Sequence, residues 1–391
     1  MTSHNFRFSD IVIVGGGPAG ATCAILLAHG GADVTLINRQ PSRESPVELV
    51  SGRARRLLEF YLKRPLLHLL DGCEIFETVS LWGMWQPSSW TAICNPWGYG
   101  LAVNRATFDA ALVRAARYAG ASVLSDTEVR SADRQSDAWT LAVHDSHGDG
   151  VLKAHHLVLA TGATGRRLVG RSPVEKPLQF AMMAHVDMDT PARRHSFYLE
   201  AVEDGWWYRL PNPNGGCFFG FCSRADAFSR RYLPSRDNFL RLLAGVRLFG
   251  VSLSSGVPPV RVTGYPAGPR SYEEVAGNRW VAVGDAAFVS DPISGMGIEF
   301  AIESARLATE AMCAMRRDLA ITEYAKAVRD YAGRHKRISQ FYHASSAVAH
   351  AGRNRCAAEF RLSTQTRRCG LDQAGNIAQG LAPPSEPANR L

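Results

Sequence analysis

The sequence predicts an α/β protein built on a doubly wound parallel sheet, and three stretches in a fixed order carry that prediction. Near the N-terminus the apolar run Ile11-Val12-Ile13-Val14 leads into Gly15-Gly16-Gly17-Pro18-Ala19-Gly20, which is GxGxxG at a strand-to-helix turn. Further on, Leu157-Val158-Leu159-Ala160-Thr161-Gly162 reads as a buried strand entering a turn of small residues, as expected where a second backbone segment crosses a nucleotide. The third stretch is Trp280-Val281-Ala282-Val283-Gly284-Asp285-Ala286-Ala287. It is followed by Asp291-Pro292-Ile293-Ser294-Gly295-Met296-Gly297 and a helical pattern from Ile298 to about Met315.

Taken in chain order, each element has a physical reason. Gly15 permits the tight turn, Gly17 lets the backbone approach a pyrophosphate, and Gly20 lets the helix from about Ala19 to Ala28 pack on the strand. The free N–H groups at the start of that helix, around Pro18 and Ala19, suit a diphosphate. A second strand, Val34 to Ile37, ends at Asn38-Arg39. Residues Val47 to Leu70 read as a loop then a helix, Ser80 to Leu101 as aromatic strands, and Ala106 to Gly120 as a helix. Val123 to Ala154 reads as a meander with its turn at Asp145-Ser146-His147-Gly148. Gln179 to Cys222 is again strand-rich. The resulting organisation is a nucleotide-binding domain in three parts (1–80, 102–178 and 266–315) and an interleaved β-rich substrate domain (81–101 and 179–265). A helical, basic C-terminal region (316–391) ends in a flexible tail from Leu381 to Leu391.

With 391 residues and 46% hydrophobic composition, the chain can bury a large core, which excludes a disordered or fibrous protein. No apolar run is long enough to span a bilayer, and Met1 to Asp10 lacks the charged-then-apolar layout of a signal peptide, so a cytoplasmic protein is expected. The eight cysteines are scattered without CxxC or metal-ligand spacing, and His155-His156 lies in an apparent strand, so free thiols and no metal are expected. The net charge of +8 is uneven: from Ala314 to Leu391 there are 13 Lys or Arg against 6 Asp or Glu. A patch such as Arg334, Lys336, Arg337, Arg353, Arg355, Arg361, Arg367 and Arg368 is either a docking surface for an acidic protein or a set of solvated helix faces. No nucleic-acid motif accompanies it.

The three stretches in this order resemble the glutathione-reductase-like FAD-binding domain of flavoprotein monooxygenases and flavin-dependent halogenases, over roughly the first 310 residues. That resemblance implies FAD as cofactor. It further implies that Asp285, after Gly284, bonds the ribityl or diphosphate region, and that the loop carrying Pro292, Gly295, Met296 and Gly297 lies beside the isoalloxazine. The helix after Gly297 then turns its positive end toward the flavin N1/C2=O. Arg105, in Asn104-Arg105-Ala106-Thr107-Phe108-Asp109, matches the family's FAD-contacting arginine. The family carries an acid where Asn38 stands; Asn38 still offers an amide oxygen to the adenosine ribose, without the charge.

Trp82, Trp85, Trp90 and Trp97 fall in one stretch and Trp206-Trp207 in another. Trp82, Trp85, Trp97, Trp206, Trp207 and Tyr208 are either substrate-lining walls or the core of aromatic strands. Flavin-dependent halogenases have WxWxIP and a lysine that handles hypohalous acid. Here the stretch reads Trp206-Trp207-Tyr208-Arg209-Leu210-Pro211, and no lysine occurs between Arg64 and Leu152, leaving Lys63 on a surface helix. The phenol hydroxylases' DG motif is absent after Leu157, where Ala160-Thr161-Gly162-Ala163-Thr164-Gly165 stands, so the electron donor is left open between NAD(P)H and an external protein. Glu48-Leu49-Val50-Ser51-Gly52, Asn95-Pro96-Trp97-Gly98-Tyr99-Gly100, Asp204-Gly205-Trp206-Trp207-Tyr208 and Asp291 to Gly297 resemble, in order, the halogenase-like monooxygenases of tryptophylquinone cofactor biogenesis. The function so implied is hydroxylation of a protein-bound tryptophan side chain through a flavin C4a-hydroperoxide. Glu48 is the candidate for removing the ring proton, with a loop-fixing hydrogen bond as its other role. The alternatives are a halogenase or alkene reductase on the same scaffold, and a non-catalytic FAD-stabilised partner-binding protein.

Overall fold

The computed structural model describes residues 7–39, 46–84, 86–135, 137–163, 168–169, 173–174, 179–187, 195–224, 235–249, 261–314 and 317–363. Residues 1–350 form one compact unit and residues 351–391 another. Trp85, Thr164, Gly165 and the expected tail from Leu381 lie outside the described residues, as do the side chains of Arg353, Arg355, Arg361, Arg367 and Arg368.

Apolar runs without alternation form the centre of the first sheet, because strands covered on both faces need no polar side. Strands β1 (Arg7–Val14), β2 (Val34–Asn38), β8 (Ser122–Ser125), β11 (Gly148–Leu159) and β19 (Trp280–Ala282) run parallel in the order β19-β11-β1-β2-β8. Strand β18 (Ala276–Gly277) adds an antiparallel edge to β19, and the hairpin of β9 (Glu128–Gln135) and β10 (Ala138–Asp145) pairs with the first half of β11, as the expected meander requires. Val14 stands in register with both Leu159 and Ile37, so β1, β2 and β11 end at one edge. Ligands of open α/β sheets bind beyond that carboxyl edge. Helix α1 (Pro18–His29) packs on both α3 (Arg105–Tyr118) and α5 (Gly297–Cys313) and is buried on nearly every side, which its all-round apolar composition allows.

One segment differs from expectation. Val47 to Val50 is strand β3, not loop, and it pairs with β7 (Gly100–Asn104), which also pairs with β4 (Gly72–Ile75). Gly100 and Leu101 therefore belong to this small sheet rather than to the aromatic strands. Four residues are too few for an alternating pattern to be told from a loop. Helix α2 (Gly52–Leu62) follows, capped by the Ser51 side chain.

The second large sheet has seven strands in the order β16 (Val262–Ala267), β12 (Gln179–Val186), β15 (Cys217–Arg224), β14 (Gly205–Pro211), β13 (Ser196–Val202), β5 (Glu77–Leu81) and β6 (Ser88–Thr91). Its two faces do different work. One face buries Trp207, Phe219 and Phe221 against Phe239 and Leu243 of α4 (Arg236–Ala244). The other packs Ala181, Trp206 and Cys222 with Trp82, Tyr208 and Ile293. A two-stranded ribbon, β17 (Arg270–Ser271) with β20 (Phe288–Val289), sets Arg270 opposite Val289. The long helix α6 (Arg317–Ser363) contributes Tyr324 and Val328 to the main core.

Candidate active site

Where β1, β2 and β11 end, one continuous cavity of about 1930 Å³ opens and extends to the seven-stranded sheet. Its first wall is the glycine loop. Gly15 has φ +113°, and a Cβ there would stand 2.2 Å from the Ala160 carbonyl oxygen; a Cβ on Gly20 would stand 1.9 Å from the Gly15 oxygen. Both contacts forbid a side chain, so the glycines hold α1 against the strand ends as the sequence predicts. Gly17 is different: a Cβ there meets only the Arg105 guanidinium, at 3.5 Å, leaving its backbone open to the cavity.

Helices α1 and α5 both begin at this cavity, at Gly17-Pro18 and Met296-Gly297, and neither has a side-chain cap. In contrast, α2, α3 and α4 are capped by Ser51, Asn104 and Ser235. Two uncapped N-termini aim free N–H groups and the positive ends of two dipoles at one space, which suits an anionic or electron-rich ligand.

Arg105 sits beside Gly17 between two carboxylates. Its Nη1 donates to Glu48 Oε1 at 2.8 Å, and its Nε donates to Asp109 Oδ1 at 2.8 Å. Burial alone would lower the guanidinium's pKa, but Glu48 and Asp109 outweigh it and hold the charge firmly on. Glu48 lines the cavity as expected. Its carboxylate is taken up by Arg105, a contact of the loop-fixing kind.

Asp285 faces the cavity from the turn Gly284–Ala286, and enclosure by protein pushes its carboxyl up to about 6 despite the nearby Arg105. The next short turn, Pro292–Ser294, is capped by a side chain. That cap belongs to Asp291, whose Oδ1 accepts from the Ile293 N–H at 3.0 Å. Asp291 Oδ2 lies 2.7 Å from Gln179 Nε2 and 2.8 Å from His343 Nε2, and its own N–H donates to His335 Nε2 at 2.9 Å. Burial would raise the Asp291 carboxyl, but His343, Ile293 and Gln179 together bring it below the ordinary value. Burial also lowers the His335 pKa, in keeping with an acceptor nitrogen. Helix α6 thus anchors the loop from Pro292 to Gly297, a link between residues more than forty positions apart.

Of the expected cofactor residues, Gly15, Gly17, Pro18, Ala19, Asn38, Arg39, Arg105, Thr161 and Gly162 line the cavity, as do Gly284, Asp285, Pro292, Gly295, Met296 and Gly297. Gly20 lies beneath them as a packing residue. The expected substrate residues divide. Trp82, Trp206 and Tyr208 come together in one cluster with Ala181 and Met183; the latter two line the cavity and the three aromatics do not. Trp207 is corrected: it points to the opposite face, 1% exposed, where it is core packing. Trp97 stands on the surface with the Arg53 guanidinium 5.8 Å from its ring centroid, away from the cavity lining. Asp109, Gln179, Arg270 and His343 were not anticipated; only Asp109 had a signal, its i,i+4 spacing from Arg105.

Residues 9–195 match the family model described as pyridine nucleotide-disulphide oxidoreductase. The putative FAD-dependent oxidoreductase LodB of Marinomonas mediterranea is 27% identical over 343 residues, 85% of this chain and 90% of LodB. A digeranylgeranylglycerophospholipid reductase of Methanoculleus marisnigri is 29% identical over 311 residues, 77% of this chain and 75% of the reductase. Among solved structures, the flavin-dependent halogenase CmlS superposes with a TM-score of 0.72 at 22% identity, over 85% of this chain; the chain spans 64% of CmlS. The peptidyl tryptophan dihydroxylase QhpG, described as essential for tryptophylquinone cofactor biogenesis, superposes with a TM-score of 0.70 at 24% identity, over 87% of this chain and 76% of QhpG.

Proposed function

We propose that this chain, an FAD-dependent oxidoreductase on the scaffold of flavin-dependent halogenases and monooxygenases, hydroxylates a tryptophan side chain held in a polypeptide. The observation that carries the reading is the single cavity of about 1930 Å³, which runs from the glycine loop past the loop of Pro292 to Gly297 to the seven-stranded sheet. Small-molecule sites span about 300–1,000 Å³. The space therefore accommodates a dinucleotide and a second, bulky aromatic group. Likeness to QhpG supports the peptidyl substrate. Among the described residues no lysine lines the cavity, and Lys63 lies at the end of α2 outside it, which favours hydroxylation over halogenation.

The residues present fit FAD: a backbone loop closed to side chains at Gly15 and Gly20, open at Gly17, and flanked by Arg105. FAD, when bound and reduced, supplies the activated oxygen. The protein's part is to bind, orient and keep the site dry. The N–H groups at the start of α1 would hold the diphosphate, Glu48 and Asp109 aim Arg105 into the cavity, and Asp285 would accept from a sugar hydroxyl. The α5 N-terminus steadies negative charge on the ring. Asp291 fixes the loop at the ring's edge through Gln179, His335 and His343. Ala181, Met183, Tyr265 and Pro266 exclude water, backed by Trp206, Trp82 and Tyr208. Burial holds the Tyr208 phenol neutral by pushing its pKa well up. The partner is an acidic protein docking on the basic C-terminal region, and the electrons come from an external or NAD(P)H-linked donor. Among the described residues no helix is long and apolar enough to cross a membrane.

The test is mass spectrometry of a tryptophan-bearing acidic polypeptide after incubation with the FAD-loaded protein, a reductant, O₂ and chloride. Oxygen added at tryptophan supports the hydroxylase. Chlorine at tryptophan would establish the halogenase instead, and release of free peroxide with unmodified polypeptide would contradict both.

A further inference from the structure

Arg270 is a charge in the cavity wall that no described residue neutralises by contact. It lies on the short ribbon β17–β20 and lines the cavity together with Asp285 and the loop of Pro292 to Gly297. Its Nε is buried without a hydrogen-bond partner, and among the described residues its guanidinium closes no ion pair. Arg105, in the same cavity, makes the contrast: it is gripped by Glu48 and Asp109 at 2.8 Å each. Asp285 feels the charge of Arg270, but the two make no direct bond. A half-buried guanidinium with an orphaned donor is costly, and buried donors in folded proteins are almost always satisfied by something. A planar fork of N–H donors matches an oxyanion in shape and charge.

We propose that Arg270 is an oxyanion-binding residue of this cavity, receiving a carboxylate or phosphate oxygen pair in its guanidinium fork. The oxyanion comes either from the cofactor's diphosphate or from an acidic group on the second occupant. The assignment rests on the cavity as the FAD site and not on tryptophan hydroxylation, so it stands or falls separately from that reaction.

The experiment compares the wild type with Arg270→Met and Arg270→Lys in two titrations. Cofactor-stripped protein is titrated with FAD, and FAD-loaded protein is titrated with benzoate and with its neutral counterpart benzamide, both followed by the flavin absorption spectrum. If the second occupant supplies the oxyanion, wild type binds benzoate about ten- to a hundredfold more tightly than benzamide. Arg270→Met then removes that preference while leaving FAD and benzamide affinities unchanged. If the diphosphate supplies it, Arg270→Met weakens FAD by a similar factor and the wild type shows no preference for benzoate. Arg270→Lys, which keeps the charge without the fork, recovers part of the loss in either case and reports on folding. An Arg270→Met protein with unchanged FAD affinity and an unchanged benzoate-to-benzamide ratio overturns the assignment.

Discussion

Gly20→Ala and Gly17→Ala place the same methyl group five and two residues beyond Gly15, with opposite expected signatures. At position 20 the Cβ would lie 1.9 Å from the Gly15 oxygen and 2.9 Å from the Ala160 Cβ. Carbon and oxygen rest about 3.3 Å apart, so α1 must retreat by about 1.4 Å. It has nowhere to go, because α3 and α5 pack against it. Overpacking of this kind costs about 1–3 kcal/mol. A retreat of that size also breaks one or two of the N–H bonds to a diphosphate, each worth about 1.5–3 kcal/mol, so FAD affinity falls at least about tenfold. At position 17 the nearest atom to a Cβ is 3.5 Å away and φ is −72°, so the cofactor-free protein loses less than about 1 kcal/mol. Its methyl occupies the space beside Arg105 where the diphosphate belongs, and FAD affinity again falls about tenfold or more. Thermal melting of stripped protein and FAD titration separate the two effects. A Gly17→Ala protein that binds FAD like the wild type, or a Gly20→Ala protein with an unchanged melting temperature, would refute the placement of the loop.

Four other outcomes follow from the geometry. Trp207→Ala empties the core of the seven-stranded sheet and costs about 3–5 kcal/mol, with FAD affinity of the folded fraction unchanged. Trp206→Phe removes a buried Nε1 that has no partner, changes stability by less than about 1 kcal/mol, and alters turnover of the polypeptide; equal stability losses for the two would contradict the alternation along β14. Glu48→Gln keeps turnover near wild type at saturating FAD while weakening FAD by about fivefold, the effect of losing about 1 kcal/mol from a charge-assisted bond. A turnover loss of about a hundredfold or more at saturating FAD would assign Glu48 to proton transfer. In the cofactor-free protein the Asp285 carboxyl, raised to about 6, contributes stability that is present below about pH 4 and lost as pH rises through about 6. Asp285→Asn therefore flattens the fall of melting temperature across that window, and an unchanged slope would show that this carboxyl ionises as in the unfolded chain.

The nucleotide half of the site was legible because its requirements are backbone requirements. Only glycine tolerates the 2.2 Å and 1.9 Å approaches at positions 15 and 20, so the loop is written directly in residue type. The part of the cavity at the seven-stranded sheet is written in side chains whose direction depends on strand register. Trp206 and Trp207 are adjacent and chemically identical, yet one backs the cavity and the other fills the core, because neighbouring residues of a strand face opposite sides. Strand β3 was invisible for lack of length, its pairing with β7 being a contact across about fifty residues. The anchoring of Asp291 by His335 and His343 is longer-range still, and no local pattern on α6 announces it. Arg270 follows a Gly-Pro turn like many surface arginines; only the missing partner distinguishes it.

The most direct test of the central claim is to run the reaction with the FAD-loaded protein, a reductant and a tryptophan-bearing polypeptide under ¹⁸O₂, and to measure the mass of the tryptophan peptide. The account predicts a tryptophan carrying ¹⁸O, with incorporation that depends on reduced FAD. Unlabelled oxygen, chlorine in place of oxygen, or an unmodified tryptophan beside free labelled peroxide would contradict it.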